Sequence, residues 1–209
     1  MTFTQEIIQL KNCEVHLMYF KEFNPTDFLE QLTEQEKERF FSFTNINRQR
    51  EFVATRILRH RLFGFQHIHY DVHGAPYIEN EGFISISHAK GVVGIALSKN
   101  FKIGLDLEPQ RDKAKKLFPK FLSNDEIMSL DTSSEQEMTT AWSLKEVLYK
   151  LAGRKQLIFK SDLLIQKLDD TIWAGTIIHP NEKIHVELST FVRNDLIICI
   201  NTDSCKIAQ

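Results

Sequence analysis

Apolar positions along this chain switch between a helical and a strand period. Over residues 47–64, Phe52, Ile57, Leu58 and Leu62 fall on one face at helical spacing, with arginines on the other side and Gly64 placed to end the helix. Residues 135–152 repeat the pattern and stop at Gly153. Residues 26–41 carry another helical stretch, in which Thr33 and Glu36 have the spacing of a capping box. Two shorter helices are predicted over 112–122 and 123–130, the second opened by Ser123 with Glu126 three residues on.

Between the helices the period shortens. Residues 14–20 read as a first strand, and residues 74–78 as a turn leading into a short one. Segments 83–88, 91–97 and 101–108 follow one another across polar turns and predict an antiparallel meander ended by Pro109. After about residue 158 the chain returns to strands, over 171–178, 184–188 and 195–200. Helices precede strands twice, and the break falls near residue 100. Neither a GxGxxG nor a Walker A loop is present, and the parallel-sheet alternation is missing. The class expected is α+β with antiparallel sheets.

Composition narrows the function classes. With 42% apolar and 26% charged residues in 209, the chain can bury an ordinary core, and only eight Gly and five Pro argue against a linker-rich protein. A net charge of −2 gives no reason to expect nucleic-acid binding. Charge is concentrated locally, however. Arg48, Arg50, Arg56, Arg59 and Arg61 form one basic island, and Arg111, Lys113, Lys115, Lys116 and Lys120 another, which suits a small anionic ligand or an acidic partner. Cys13, Cys199 and Cys205 match neither a disulfide framework nor a CxxC site, so free thiols in a reducing compartment are expected. The start of the chain lacks a signal-peptide pattern, and no apolar run nears the ~20 residues of a membrane helix. A cytoplasmic location with no membrane partner is expected.

Two short segments carry the candidate chemistry. Asp106 and Glu108, at i and i+2 of a strand, project from one face while Ile103, Leu105 and Leu107 fill the other. Gly104 admits a close approach by another backbone or a ligand. Trp142, Glu146 and Lys150 recur at i, i+4 and i+8 on one side of the 135–152 helix. Singly, such a carboxylate pair is more often a solvated strand face, and a Glu–Lys pair at i, i+4 more often a surface ion pair. A Trp on the same side as Glu146 and Lys150 argues for partial burial. If strand and helix face each other, three carboxylates and a lysine converge as a divalent cation clamping a phosphate would require. Ser87-His88, ahead of Ala89-Lys90-Gly91, adds two donors and a turn of amides at a sheet edge, although a purely structural turn histidine fits this fragment equally well.

In order, Gly74-Ala75-Pro76-Tyr77, Ile86-Ser87-His88, Ile103-Gly104-Leu105-Asp106-Leu107-Glu108 and Trp142-Ser143-Leu144-Lys145-Glu146 with Lys150 closely resemble the 4′-phosphopantetheinyl transferase superfamily. The resemblance spans residues 35–180, and the length is similar to that of its surfactin-type, single-chain branch. It implies two similar halves related by a pseudo-twofold axis, each with helices packed on a small antiparallel sheet. Residues 1–100 would bind coenzyme A, residues 101–209 would hold the metal site and dock the carrier protein, and the active site would lie between them. A monomer then suffices.

The resemblance implies roles residue by residue. Asp106, Glu108 and Glu146 would hold Mg2+ against the pyrophosphate of coenzyme A, with Glu146, Lys150 and Asp106 as the catalytic set. Lys150, Ser87 and His88 would meet the coenzyme A phosphates, Gly74, Pro76 and Tyr77 would pack near the nucleotide, and Arg50 with Arg39 would meet the 3′-phosphate. Ala75 stands where the family usually has a basic residue, and a nearby arginine or Lys90 is the expected substitute. The implied reaction moves the phosphopantetheine arm to a serine of an acyl or peptidyl carrier protein, releasing adenosine 3′,5′-bisphosphate. The 111–120 segment, and Arg154, Lys155 and Lys160 with Leu157, Ile158 and Phe159, are the docking candidates. A non-catalytic coenzyme A- or nucleotide-binding regulator and a metal-dependent phosphodiesterase remain alternative readings.

Overall fold

Strand alternation sorts the core into layers. In the computed structural model, which describes residues 3–153 and 156–207, β1 (Thr4–Gln9), β2 (Glu14–Tyr19), β5 (Phe83–Ala89) and β6 (Val92–Ser98) form an antiparallel sheet of order β1-β2-β6-β5. On β2 and β6, Met18, Val93 and Ile95 face helix α2 (Ile46–Phe63), meeting Ala54 and Leu58. Val15, Leu17, Val92 and Ala96 face the other way, onto Leu105, Leu107, Ile198 and Ile200. Those last four belong to a second antiparallel sheet, of order β7-β11-β10-β9-β8. Its strands are β7 (Leu105–Pro109), β8 (Leu163–Lys167), β9 (Ile172–His179), β10 (Glu182–Arg193) and β11 (Leu196–Asn201), with β12 (Lys206–Ile207) paired to β10. The far face of the second sheet, through Ile197, Cys199, Leu188 and Trp173, packs on helix α5 (Glu135–Leu151). The order of layers is therefore helix, sheet, sheet, helix. This is the α+β, antiparallel class expected.

Local capping set most helix ends where the sequence predicts them. Both capping boxes form: Thr33–Glu36 opens α1 (Glu34–Phe41), and Ser123–Glu126 opens α4 (Asn124–Ser129). Gly64 and Gly153 follow α2 and α5 with φ of 61° and 76°. Helix α3 (Asp112–Phe121) also falls where expected. The 26–41 stretch, in contrast, divides into a 3-10 helix, Pro25–Gln31, and α1, because the extended Thr33 cap turns the chain between them.

Three expectations are corrected. The meander ends at β6: β7 starts only at Leu105 and pairs with β11 in the other sheet. Strand β1 escaped the pattern because it is a polar edge, with Ile7 54% exposed, and the short β3 (His69–Tyr70) pairs with β4 (Pro76–Tyr77) over two residues only. The arginine side of α2 is not uniformly solvated, since Arg56 and Arg59 are buried against Glu36. Among the described residues no helix is long and apolar enough to cross a membrane.

Candidate active site

The site is built where β5, β7 and α5 meet. Strand β7 is the edge of its sheet, so the N–H groups on its outer side need partners. Two β5 serines supply them: Ser85 Oγ accepts from Leu105 N at 2.9 Å, and Ser87 Oγ accepts from Leu107 N at 3.1 Å. At i and i+2 both serines face β7. Gly94 on β6 permits the sheets to close, since a Cβ there would lie 3.0 Å from Leu107 Cδ1. Gly104 does the same for the helix: an added Cβ would sit 3.0 Å from the Val147 carbonyl oxygen. The close approach that Gly104 allows is thus made by α5. Buried Asn201 fixes this segment, accepting from Gly104 N at 2.7 Å and donating to Lys102 O at 2.9 Å.

With its neighbours so placed, Asp106 points from β7 toward α5. Its Oδ1 accepts from Lys150 Nζ at 2.9 Å and Ser87 Oγ at 3.2 Å, and its Oδ2 from Ser143 Oγ at 2.8 Å. Lys150 Nζ also donates to Leu105 O at 2.6 Å. Strand and helix do face each other as the spacing requires, and Ser143 is a partner that the sequence argument passed over. Glu108, two residues on, takes Arg111 Nη2 at 3.1 Å and a hydrogen bond from the Trp142 side chain. Burial, and then the charge of Asp106, hold its carboxyl above the usual range, against the opposing pull of Arg111 and Trp142. Two carboxylates therefore repel each other at this end of β7, with Lys150 and Arg111 as their cationic partners.

That residue set fits a hard divalent cation. Asp106 and Glu108 offer carboxylate oxygens, and a cation would relieve the repulsion that Glu108 feels. Mg2+ needs only one or two protein carboxylates when substrate phosphates fill its remaining positions. Among the described residues no group of three or more His, Cys, Asp or Glu is gathered to hold a metal. Half-buried Glu146, one turn before Lys150, does not close such a group with Asp106 and Glu108 here.

Two cavities flank Pro76 and Ile86 beside this cluster. One, of about 230 Å3, is walled by Ala75, Tyr77, Phe83, Lys102 and Lys150. Lys102 and Lys150 are thus the lysines that share a cavity with Ala75, whereas Lys90 sits exposed in the β5–β6 turn. The other, of about 170 Å3, is polar and lined by Arg39, Arg48, Arg56, Gly74 and His88. Arg39 lies 4.3 Å over the Tyr70 ring. His88 contacts Arg48, and its Nδ1 is 3.3 Å from Glu51 Oε2. Burial, then the charge of Arg48, keeps the His88 imidazole below its ordinary value despite Glu51, which favours the neutral ring near pH 7.

Of the two arginines singled out, Arg39 lines this cavity and Arg50 is turned away from it. Arg50 Nε donates to Phe23 O at 2.8 Å, and its Nη1 lies 3.7 Å from Glu22. Arg48, two residues earlier, lines the cavity instead. Helix geometry alone separates them, since two residues rotate by roughly 200° and put Arg48 with Phe52 and Thr55 on the cavity side.

Of the docking candidates, Arg154 and Lys155 lie outside the described residues. Phe159 packs on Trp142, ring centroids 5.3 Å apart and stacked, and under Tyr149 at 5.4 Å, which leaves Ile158 as the strongly exposed apolar side chain of that stretch at 65%. Lys113, Leu117 and Arg111 border a cavity of about 170 Å3 that Glu108 and Trp142 also line.

The family model of the 4′-phosphopantetheinyl transferase superfamily matches residues 102–200, a little under half of the chain, and the match takes in Asp106, Glu108, Glu146 and Lys150. It begins just before β7 and ends within β11, so it coincides with the second sheet and its helices. No curated protein matches the chain.

Proposed function

We propose that the protein is a surfactin-type, Mg2+-dependent 4′-phosphopantetheinyl transferase of the holo-acyl-carrier-protein synthase kind. It would move the phosphopantetheine arm of coenzyme A to a serine of an acyl or peptidyl carrier protein and release adenosine 3′,5′-bisphosphate. The observation that carries this reading is the Lys150–Asp106–Ser87 cluster at the junction of β5, β7 and α5, with Lys150 and Asp106 inside the matched segment and Lys150 bordering the cavity that Lys102 also lines. Residues 1–100 then form the coenzyme-binding half and residues 101–209 the metal and carrier half. One chain suffices for one site, in keeping with a cytoplasmic monomer.

The cavity lined by Lys102, Lys150 and Tyr77 suits a phosphate-bearing ligand with a stackable base, and Arg39 and Arg48 offer planar forks for a further phosphate. Asp106 and Glu108, joined by Glu146 once substrate is bound, would hold Mg2+, which when bound supplies charge stabilisation on the pyrophosphate oxygens. In the transfer, the serine oxygen bonds to the β-phosphorus, and the bond from that phosphorus to the bridging oxygen breaks. Lys150 neutralises charge on the oxygens of the breaking anhydride. Glu146 takes the serine proton, directly or through water. Ser87 and neutral His88 orient phosphate oxygens.

Mass spectrometry of an apo carrier protein, incubated with coenzyme A, Mg2+ and this protein, is the test. The expected result is a phosphopantetheine mass gain on the carrier serine. Free phosphopantetheine with unmodified carrier would reassign the protein to hydrolysis, and absence of either product across several carriers would reject the proposal.

A further inference from the structure

A further cavity lies away from the Asp106 cluster, between the 3-10 helix and α2, and shares Arg56 with the polar cavity that Arg39 and Arg48 line. It measures about 340 Å3, at the small end of the range of about 300–1,000 Å3 typical of ligand pockets. Phe28, Leu32, Val53, Ile57 and Phe65 form the apolar part of its wall, Gln31, Thr33, His60 and His67 a polar part, and Arg56 and Arg59 bring charge to it. Phe65, 86% exposed, stands at the rim.

The charge there does not balance. Arg56 and Arg59 are only 4% and 3% exposed, and among the described residues Glu36 is the carboxylate that pairs with either. Arg56 Nε donates to Glu36 Oε1 at 2.8 Å, and Arg59 Nη2 to the same oxygen at 3.3 Å. Arg59 Nη1 is spent on the Gln66 and Gly64 carbonyls, at 2.8 and 3.4 Å. Two guanidiniums against one carboxylate leave one buried positive charge. In addition, Arg59 Nε is buried without a hydrogen-bond partner among the described residues. A buried charge with an orphan donor is unfavourable unless an anion answers it. Burial pulls Arg59 below its ordinary pKa, Glu36 opposes this, and Arg56 adds to it.

We propose that this cavity is a binding site for a small apolar monocarboxylate, whose carboxylate answers the excess guanidinium charge while its hydrocarbon body lies among Phe28, Leu32, Val53, Ile57 and Phe65. One excess positive charge calls for one negative charge. Phosphate has no hydrocarbon body to cover Phe28, Leu32, Val53, Ile57 and Phe65, so an apolar monocarboxylate gains burial there that phosphate does not.

Isothermal titration calorimetry of the full chain with benzoate, hexanoate, benzamide and inorganic phosphate tests this. At least one carboxylate is expected to bind with a Kd on the order of 1 mM or tighter, and benzamide at least about tenfold more weakly than benzoate. Ile57→Phe, which fills the cavity and leaves both arginines in place, should abolish carboxylate binding with circular dichroism and melting temperature near those of the parent. Arg59→Gln should weaken it at least about tenfold where that variant folds. The proposal is overturned if neither carboxylate binds at about 10 mM. It is equally overturned if benzamide matches benzoate, if Ile57→Phe retains binding, or if phosphate outcompetes both carboxylates at a site that Ile57→Phe removes.

Discussion

Helix α5 carries two lysine–carboxylate pairs, five residues and roughly 140° apart. Lys145 Nζ meets Glu126 Oε2 at 2.8 Å, and Lys150 Nζ meets Asp106 Oδ1 at 2.9 Å. Their surroundings differ. Lys145 is wholly buried, with Phe159 O as a second acceptor, and Glu126 also takes Ser123 N and Ile165 N, so this pair is closed on all sides by fixed partners. Lys150 forms part of a cavity wall, and its partner Asp106 sits two residues from a second carboxyl group, Glu108, that burial and Asp106 hold above its ordinary pKa. The same pair of residue types locks α4 and β8 onto α5 in one place and borders open space in the other. Under the proposed function, that opening is what distinguishes the second pair. The ion pair itself does not.

Exchanging the two fates is the sharpest way to break this comparison. Lys150→Ala should lower carrier modification by about 10^2- to 10^3-fold with a smaller shift of the urea midpoint than Lys145→Ala, because water can enter the cavity that Lys150 borders and solvate Asp106. Lys145→Ala should do the reverse. Leaving Glu126 charged and buried should destabilise by about 3–5 kcal/mol in urea unfolding, with turnover per folded molecule unchanged. If Lys145→Ala lost activity and kept stability, the assignment of the two pairs would be inverted.

Smaller changes test how the strand and helix are held. Gly104→Ala forces a Cβ toward the Val147 carbonyl and should cost about 1–3 kcal/mol, with activity falling as Lys150 is displaced from Asp106. Ser87→Ala orphans Leu107 N and should cost about 1 kcal/mol by the same measurement.

The smallest expected effect has the opposite sign. Because the folded Glu108 carboxyl titrates above its unfolded value, the native state holds that proton to higher pH than the unfolded state does. Stability therefore falls as pH rises from the ordinary glutamate range through the raised value, and the penalty is fully present at neutral pH. Glu108→Gln should raise the melting temperature slightly at pH 7 while reducing activity. Added Mg2+ should stabilise the parent more than this variant. A melting temperature that drops in Glu108→Gln would show that the carboxylate is already compensated.

Much of this was legible without coordinates, because caps and helical stripes are local. Thr33–Glu36, Ser123–Glu126, Gly64 and Gly153 bound their helices through contacts three or four residues apart. Asp106 with Glu108, and Glu146 with Lys150, stood out because strand and helix periods place each pair on one face. Other features were not legible. Segment 101–108 continues the hairpin pattern of β5 and β6, yet β7 leaves that sheet, since pairing with β11 buries both of its faces and the β5 serines satisfy its other edge. Arg48, Arg50, Arg56 and Arg59 are equivalent by composition. Only the position of α1 and its Glu36 makes two of them a buried centre.

The sequence by itself determined the helices, the α+β class and which charged residues share a strand or helix face, because short-range hydrogen bonds and hydrophobic period suffice for those. The tertiary structure alone decided which sheet receives β7, which α2 arginines face a cavity and which α5 lysine is left open. Those outcomes depend on contacts between distant segments, such as Ser87 with Leu107 and Glu36 with Arg59, whose partners no local period specifies.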